Sequence, residues 1–226
     1  MVKEGPHGLE LRVDGTLASL QRPGGGVTGV VWWALASPVV LLLKKKRRPR
    51  VLLLGLAGGS VGQAVRALAP EAELVGVDRD RDVLRAARRH FGMDALGIEV
   101  IAADAFHYLR RERRRFDLIV EDLFVGGLRT VHKPEGLLQD GYPLIRARLA
   151  AGGFVTSNTI HETPAVARAM HGLGGAVLSL GVRGHWNHIL VWAGRVPAAR
   201  AYRAALAAVP ELARPLRHIA VRRLRG

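Results

Sequence analysis

Residues 51–62, VLLLGLAGGSVG, form a short apolar run that stops at a glycine cluster. Further along, LVGVDRD (74–80) is a second apolar run that ends in an acid, Asp78. Apolar runs of this length predict buried strands, and small residues at a strand end let the backbone approach a ligand closely. Three interpretations fit the pair: a nucleotide-like cofactor, a phosphate, or a tight turn with no ligand.

From residue 50 onward, segments with strand character alternate with segments of helical spacing. This alternation predicts a parallel sheet covered by helices on both faces. The last two predicted strands have no helix between them, so we expect an antiparallel last strand. The predicted fold is therefore α/β and Rossmann-like, with a seven-stranded, mostly parallel sheet. The predicted strands are RVLLLG (50–55), ELVGVD (73–78), IEVIAAD (98–104), FDLIVED (116–122), GFVTSN (153–158), AVLSL (176–180) and HILVWAG (188–194).

The N-terminal segment differs from the rest of the chain. LELRVDGTLASLQ (9–21) alternates around Asp14-Gly15, which predicts a β-hairpin. QRPGGG (21–26) is typical of a flexible joint. We therefore divide the chain into a hairpin and joint (1–26) and an α/β domain (27–226).

Composition limits the partners. Lys and Arg number 34 against 19 Asp and Glu, giving a formal net charge of +15. This excess favours anionic partners such as nucleic acid, acidic headgroups or an acidic substrate. The alternative is a set of solvated arginine faces, because KKKRRPR (44–50), RRERRR (110–115) and RRLR (222–225) lack interleaved aromatic residues. The chain has no cysteine, which excludes disulfides and thiolate ligands and is compatible with the cytoplasmic location that we expect.

One uncharged run, residues 27–43, requires a membrane test. A spanning helix needs about 20 apolar residues. This run is shorter and contains Pro38, which interrupts a helix. We expect a buried helix over Trp32–Ala36 followed by a loop, rather than a membrane anchor.

Four consecutive predicted strands end in the glycine cluster, Asp78, Asp104 and Asp122. In open α/β sheets, ligands bind outside the carboxyl ends of the strands. A carboxylate at Asp78 suits a ribose diol, and one at Asp104 suits the exocyclic amine of adenine. The alternative is that such acids cap the following helices, as we expect of Asp80 and Asp82.

The glycine cluster lacks the lysine of a phosphate-binding loop. A nicotinamide cofactor would require glycine at Ala57 and gives Asp104 no role. A neutral nucleoside that carries a cationic sulfonium fits these acids better.

From about residue 28 to 195, the chain resembles the spermidine-synthase-like branch of the class I S-adenosylmethionine-dependent methyltransferases. The motifs that carry the resemblance are VLLLGLAGGSVG (51–62), VDRDRDVLRAARRHFG (77–92), IAADAFHYL (101–109) and FDLIVEDLF (116–124). The resemblance implies S-adenosylmethionine, or its decarboxylated form, as cofactor. By this resemblance, the methionine part of the cofactor would contact Gly55, Leu56, Ala57, Gly58 and Gly59. The ribose would contact Asp78 and the adjacent Arg79, and the adenine would contact Asp104 and Ala105.

The chain departs from the polyamine-forming members of that branch. Those enzymes carry an aspartate for the donor's amine where this chain has Gly58. They also carry two aspartates after the fourth strand, of which Asp122 remains and Val125 replaces the second. Their Tyr-His/Gln-Glu helix corresponds to apolar VVWWALA (30–36), and their N-terminal β-region is reduced to one hairpin. A diamine needs carboxylates to offset its desolvation.

These departures favour a methyltransferase with an unknown small-molecule acceptor. An aminopropyltransferase and a non-catalytic basic module that binds cofactor or nucleic acid are the alternatives, and a homodimer is left open.

For proton removal from the acceptor, Asp122 is the first candidate and His161 the second. Glu121 should point away from Asp122 by strand alternation, and His132 lies in the loop that follows. Asn158 could hold the acceptor or cap a turn. His185 and His188 have no neighbouring acid, so we expect sheet-edge histidines and no metal.

Overall fold

The computed structural model describes residues 1–22, 29–127 and 130–225. The predicted domain boundary at 26/27 and most of the predicted joint lie outside the described residues. The N-terminal segment is a three-stranded antiparallel sheet of order β1-β2-β3. Its strands are β1 (Val2–Gly5), β2 (Gly8–Val13) and β3 (Thr16–Gln21).

The hairpin predicted around Asp14-Gly15 is β2–β3. Both turn residues have positive φ, 47° and 81°, as tight hairpin turns require. Strand β1, which pairs with β2 from Val2 to Gly5, was not predicted.

The main sheet is of the predicted class, mostly parallel with antiparallel strands at its C-terminal side. It has eight strands in the order β11-β9-β10-β8-β7-β4-β5-β6. Strand β10 runs antiparallel to both of its neighbours, and β11 runs antiparallel to β9. The strands are β4 (Arg50–Leu54), β5 (Glu73–Asp78), β6 (Ile98–Ala102), β7 (Phe116–Glu121), β8 (Leu149–Thr159), β9 (Ala176–Val182), β10 (His188–Ala193) and β11 (Ile219–Leu224).

The eighth strand, β11, corrects the expectation of a seven-stranded sheet, in which residues 219–224 formed no strand. Ile219 is buried, and the strand pairs antiparallel with β9 along its whole length. The signal was masked because two adjacent arginines, Arg222 and Arg223, interrupt the apolar residues of the strand. On an edge strand such charge is tolerated and discourages pairing with other chains.

Eight α-helices surround the main sheet within the described ranges. The largest core cluster contains side chains of α1, α2, α3 and α8 on one sheet face, and a second contains side chains of α5, α6 and α7 on the other. The helices are α1 (Val30–Ala36), α2 (Val39–Leu43), α3 (Ser60–Leu68), α4 (Arg81–His90), α5 (Ala105–Arg111), α6 (Tyr142–Arg148), α7 (Thr163–Gly172) and α8 (Ala199–Ala207).

The apolar run before β4 forms two short helices rather than one helix and a loop. Helix α1 ends before Pro38, and α2 begins directly after it, because proline is accepted at the start of a helix but not in its interior. Most of their side chains are buried in the first cluster. Within residues 1–22, 29–127 and 130–225, no helix is long and apolar enough to cross a membrane.

Strand order reverses between β4 and β7. From β4 the chain continues outward to β5 and β6, and then returns to build β7 and β8 on the other side. The carboxyl ends of β4 and β7 therefore border the crevice where ligands of open α/β sheets bind.

Candidate functional site

The glycine loop after β4 has an unusual backbone. Gly55 has φ +85°, and a Cβ there would lie 2.5 Å from the carbonyl oxygen of Asp122. Gly59, before α3, has φ +83°, and Ala57 has φ +46° although it carries a side chain. The loop therefore makes a tight turn against the end of β7, as the small residues at this position suggested.

Every backbone N–H from Gly55 to Gly59 donates within the protein. The first two donate to Val77 O, Ala57 donates to Asp78 Oδ2 at 2.8 Å, Gly58 to Ser19 Oγ at 2.8 Å and Gly59 to Leu56 O at 2.9 Å. By contrast, the carbonyls of Gly55, Ala57 and Gly58 accept no hydrogen bond from any described residue.

The loop thus offers hydrogen-bond acceptors and has few donors left. Phosphate sites use backbone N–H groups as donors, so a phosphate does not suit this loop. An ammonium or sulfonium group carries positive charge and does suit carbonyl oxygens. This distribution favours the sulfonium nucleoside among the interpretations that the sequence left open.

Asp78 lies half-buried at the end of β5. Its carboxylate accepts from Ala57 N at 2.8 Å and from Asp80 N at 3.0 Å. A carboxylate has about four acceptor positions, so it can still accept from two hydroxyls of a ribose. Arg79, the next residue, is exposed and lines a shallow depression of about 430 Å³ with residues 80–82.

Asp104 and the acids of the preceding helix show that capping accounts for part of the pattern. Asp104 is exposed and caps α5, accepting from His107 N at 2.9 Å through Oδ1, and the adjacent Ala105 is buried. Asp80 caps α4 as predicted. Asp82 does not, which corrects the prediction: it lies in the first turn and pairs with Arg85.

Asp122 and Glu121 point to opposite faces of the sheet, as strand alternation predicted. The half-buried Asp122 receives a hydrogen bond from Asn158 Nδ2 at 2.8 Å, and Asn158 Oδ1 accepts from Asn187 Nδ2 at 2.8 Å. Burial raises the pKa of Asp122 to about 6, against the opposing effects of Asn158 and Lys133. A carboxyl with this pKa can exchange a proton near neutral pH.

Glu121 is fully buried and saturated with donors. Lys133 Nζ, itself buried, forms an ion pair with it at 2.7 Å, and Leu123 N donates to the same oxygen at 2.9 Å. Tyr142 OH donates to the other oxygen at 3.2 Å, and Ser157 Oγ also donates to it. Glu121 therefore holds the loop after β7 against the sheet.

The histidine candidates make fewer side-chain contacts at the site than Asp122 does. His161, directly after β8, is exposed and makes no hydrogen bond to the described residues. His132 is exposed, and its Nδ1 lies 2.6 Å from Thr130 O. His185 is exposed and His188 half-buried at the turn before β10. No group of three or more His, Cys, Asp or Glu that could hold a metal occurs in the described part of the chain.

Three residues at the site were missed by sequence reasoning. Ser19 comes from the N-terminal sheet, Asn187 from the turn between β9 and β10, and Lys133 from the loop after β7. Each acts on a residue at least 12 positions away in sequence. A buried lysine in a loop has no periodic signal, so the long-range contacts are visible only in the fold.

Gly58 lies against the N-terminal sheet. A Cβ at Gly58 would lie 2.6 Å from Ser19 Cβ and 2.8 Å from Ser19 Oγ. Next to it, Leu20 N donates to Ser60 Oγ at 3.2 Å. Strand β3 thus occupies the space that a side chain at position 58 would need.

Solved structures with the same fold include two kinds of transferase. A probable spermidine synthase from Corynebacterium glutamicum matches with a TM-score of 0.76 at 15% identity, over 98% of this chain and 86% of that one. Human methyltransferase-like protein 13, in complex with SAH, matches with a TM-score of 0.63 at 20% identity, over 87% and 91%. A spermidine synthase in complex with the transition-state analogue AdoDATO matches with a TM-score of 0.66 at 17% identity, over 94% and 72%.

No protein-family model matches the chain, and neither does any curated protein sequence. The structural matches define the class: the chain has the fold of S-adenosylmethionine-dependent transferases and is spermidine-synthase-like in architecture.

Proposed function

We propose that this chain is an S-adenosylmethionine-dependent methyltransferase. The carbonyls of the Gly55–Gly59 loop would hold the cationic methionine part, Asp78 the ribose, and Asp104 with Ala105 the adenine. When bound, S-adenosylmethionine supplies a methyl group made electrophilic by its sulfonium. The observation that carries the proposal is the loop itself: its N–H groups are already bonded, and the carbonyls of Gly55, Ala57 and Gly58 accept no hydrogen bond from the described residues.

Methyl transfer is favoured over aminopropyl transfer by the contact between Gly58 and Ser19. In the polyamine-forming enzymes that the sequence resembles, this position carries an aspartate for the donor's amine. Here Ser19 Cβ would lie 2.6 Å from any Cβ at position 58, so the loop has neither that carboxylate nor space for one. Val125, at the position of a second acid, pairs through its backbone with His132.

Asp122 is the residue that we expect to remove a proton from the acceptor. It lies at the strand-order reversal beside the glycine loop, because Gly55 packs on its carbonyl. Asn158 orients the carboxylate and Asn187 orients Asn158. With a pKa of about 6, Asp122 is mostly ionised above that pH and ready to accept a proton. His161 remains the second candidate.

The proposal is tested by calorimetry with S-adenosylmethionine and its decarboxylated form. We expect the carboxylated compound to bind at least tenfold more tightly, because a methyltransferase keeps the donor's methionine carboxylate. The reverse preference would overturn the methyl-transfer assignment, and binding of neither compound would overturn the transferase assignment.

Aminopropyl transfer is the second candidate function. The observation that favours it is the structural match to a probable spermidine synthase over 98% of this chain. It predicts tighter binding of decarboxylated S-adenosylmethionine and turnover with a diamine. Because Ser19 blocks position 58, restoring the missing acid would take Gly58→Asp together with Ser19→Gly, with Ser19→Gly alone as its control.

A further inference from the structure

The basic clusters of the chain differ in how their charge is used. In the 44–50 run, Lys46 pairs with Asp117, Arg47 with Glu71 and Arg50 with Glu73. In the 110–115 run, Arg114 pairs with both Glu99 and Glu112. These two clusters are partly neutralised by acids of the fold itself.

The C-terminal segment differs from these two clusters. Residues 183–225 contain nine arginines and one acid, Glu211. None of the nine arginines forms an ion pair with any of the residues that the structure describes. Much of the net charge of +15 therefore lies on the surface of this segment, without an acidic partner among the described residues.

Part of this surface is a cleft of about 580 Å³ between the β9–β10 turn, α8 and the start of β11. None of the described residues that line it is an acid. Arg183 N donates to His218 O at 2.8 Å, and Arg203 Nη1 donates to the carbonyls of Leu216 and Ile219 at 3.2 and 2.6 Å. These bonds hold the two sides of the cleft together. Its basic lining residues are Arg183, His185, His188, Arg203, Arg217 and His218.

The turn that borders this cleft carries an exposed aromatic residue, Trp186, between the lining residues His185 and His188. Trp186 follows His185 in the turn and is 82% exposed, whereas Trp32 and Trp192 are buried. The Trp186 indole is exposed to water, and the arginines near it in sequence have no acidic partner in the described structure. Such a surface suits a ligand that combines a planar ring with negative charge. Bases of single-stranded nucleic acid stack on such rings, and arginines bind the phosphates.

We propose that this cleft binds a nucleotide unit, with its phosphate among Arg183, Arg217 and the histidines and its base on Trp186. The unit is either a free nucleotide or part of a single-stranded nucleic acid. The site goes beyond the proposed function, because none of its residues belongs to the donor site. Asn187, in the same turn, donates a hydrogen bond to Asn158, which donates one to Asp122. A ligand in the cleft therefore lies at the same edge of the sheet as Asp122, where the acceptor would react.

The test uses probes that avoid the adenosine site: inorganic phosphate, uridine monophosphate and a single-stranded uridine octamer, titrated against the full chain with saturating S-adenosylhomocysteine. Binding is followed by calorimetry and fluorescence anisotropy over a salt series. We expect the octamer to bind with an affinity that falls steeply with salt. Binding of the octamer alone would identify nucleic acid as the source, and equal binding of the monophosphate would identify a free nucleotide.

Two sets of variants locate the site. Arg183→Ala/Arg217→Ala should weaken octamer binding at least tenfold and reduce its salt slope by about 0.7 for each phosphate that the protein no longer neutralises. Arg195→Ala/Arg200→Ala removes the same charge from exposed positions outside the cleft and should change affinity less than twofold. Trp186→Ala should weaken binding of the octamer, and of uridine monophosphate where the monophosphate binds, about fivefold or more, and should leave the affinity for inorganic phosphate unchanged.

Equal losses of octamer affinity in the two double-arginine variants would mean that diffuse surface charge, and not the cleft, binds the octamer. Absence of binding by every probe, or binding of phosphatidylserine vesicles in their place, would also overturn it. Asp78→Ala, which should weaken donor binding at least a hundredfold, is expected to leave octamer affinity unchanged. Failure of the donor site and failure of this site are therefore distinguishable.

Discussion

The two faces of the sheet at the end of β7 carry adjacent acids with opposite surroundings. On one face, Glu121 is fully buried and receives hydrogen bonds from four donors, one of them a buried lysine. On the other face, Asp122 is half-buried and receives one side-chain hydrogen bond from the described residues, donated by Asn158.

The difference shows that adjacent acids at one strand end can have different roles, one structural and the other suited to proton transfer. The carboxylate of Glu121 has its acceptor positions filled, so it has no capacity to take up an acceptor's proton. Asp122 has unfilled positions and a pKa raised by burial to about 6. Proximity in sequence therefore says little about role, and the number of donors that each carboxylate receives says more.

The largest expected effect is on the buried face. Glu121→Ala leaves the Lys133 ammonium buried without its partner, and we expect a loss of about 3–5 kcal/mol in the free energy of unfolding. Chemical denaturation measures it, with the exposed Glu135→Ala on the same loop as control. Glu121→Leu/Lys133→Met should recover much of the loss, and a double variant no more stable than Glu121→Ala would contradict the ion-pair account.

Asp122→Asn should increase the free energy of unfolding at neutral pH, whereas Glu121→Ala decreases it. The folded pKa of about 6 lies above the unfolded value near 3.8, so the folded state binds more protons between these pH values. Wild-type stability should therefore fall as pH rises from about 4 to 6 relative to the variant, with the full difference present above pH 6. The equivalent of about two pKa units is at most about 3 kcal/mol. Thermal unfolding at pH 4, 5, 6 and 7 measures the difference in stability between the variant and the wild type. A difference that narrows with rising pH would contradict a raised pKa for Asp122.

The smallest losses of stability are expected for the pair Tyr142→Phe and Tyr202→Phe, which sharpens the comparison. The Tyr142 hydroxyl donates to Glu121, whereas Tyr202, also buried, shares a hydrogen bond with the neutral Ser37 hydroxyl at 2.8 Å. Hydrogen bonds to charged groups contribute about 1.5–3 kcal/mol and neutral ones about 0.5–1.5 kcal/mol. Denaturation of Tyr142→Phe and Tyr202→Phe should show the former as the more costly, and equal losses would mean that Glu121 gains nothing from the hydroxyl.

The sheet class, the hairpin and the strand-end positions of Asp78, Asp104 and Asp122 could be predicted from the sequence, because each follows from local apolar runs and turn residues. The divergence of Glu121 and Asp122 was predictable for the same reason. Strand β11 was missed because its arginines hide the strand pattern, and so was the contact of Ser19 with Gly58. Such contacts depend on which distant segments the fold brings together, which no local spacing encodes.

The same limit applies to the glycine loop. Its small residues indicated a role at a strand end but left three interpretations open: a nucleotide-like cofactor, a phosphate, or a turn with no ligand. Only the directions of the N–H and C=O groups, set by positive φ at Gly55, Ala57 and Gly59, separate an anion site from a cation site.

Asp78 and the carbonyl-rich loop are proposed to hold an adenosyl donor at the carboxyl edge of the sheet, and the proposed methyltransferase function depends on that site. Calorimetric titration of S-adenosylhomocysteine into wild type, Asp78→Ala and the exposed control Asp94→Ala tests it most directly. We expect binding to wild type and Asp94→Ala, with an affinity at least a hundredfold weaker in Asp78→Ala. Undiminished affinity in Asp78→Ala, or no binding to the wild-type protein, would contradict the claim.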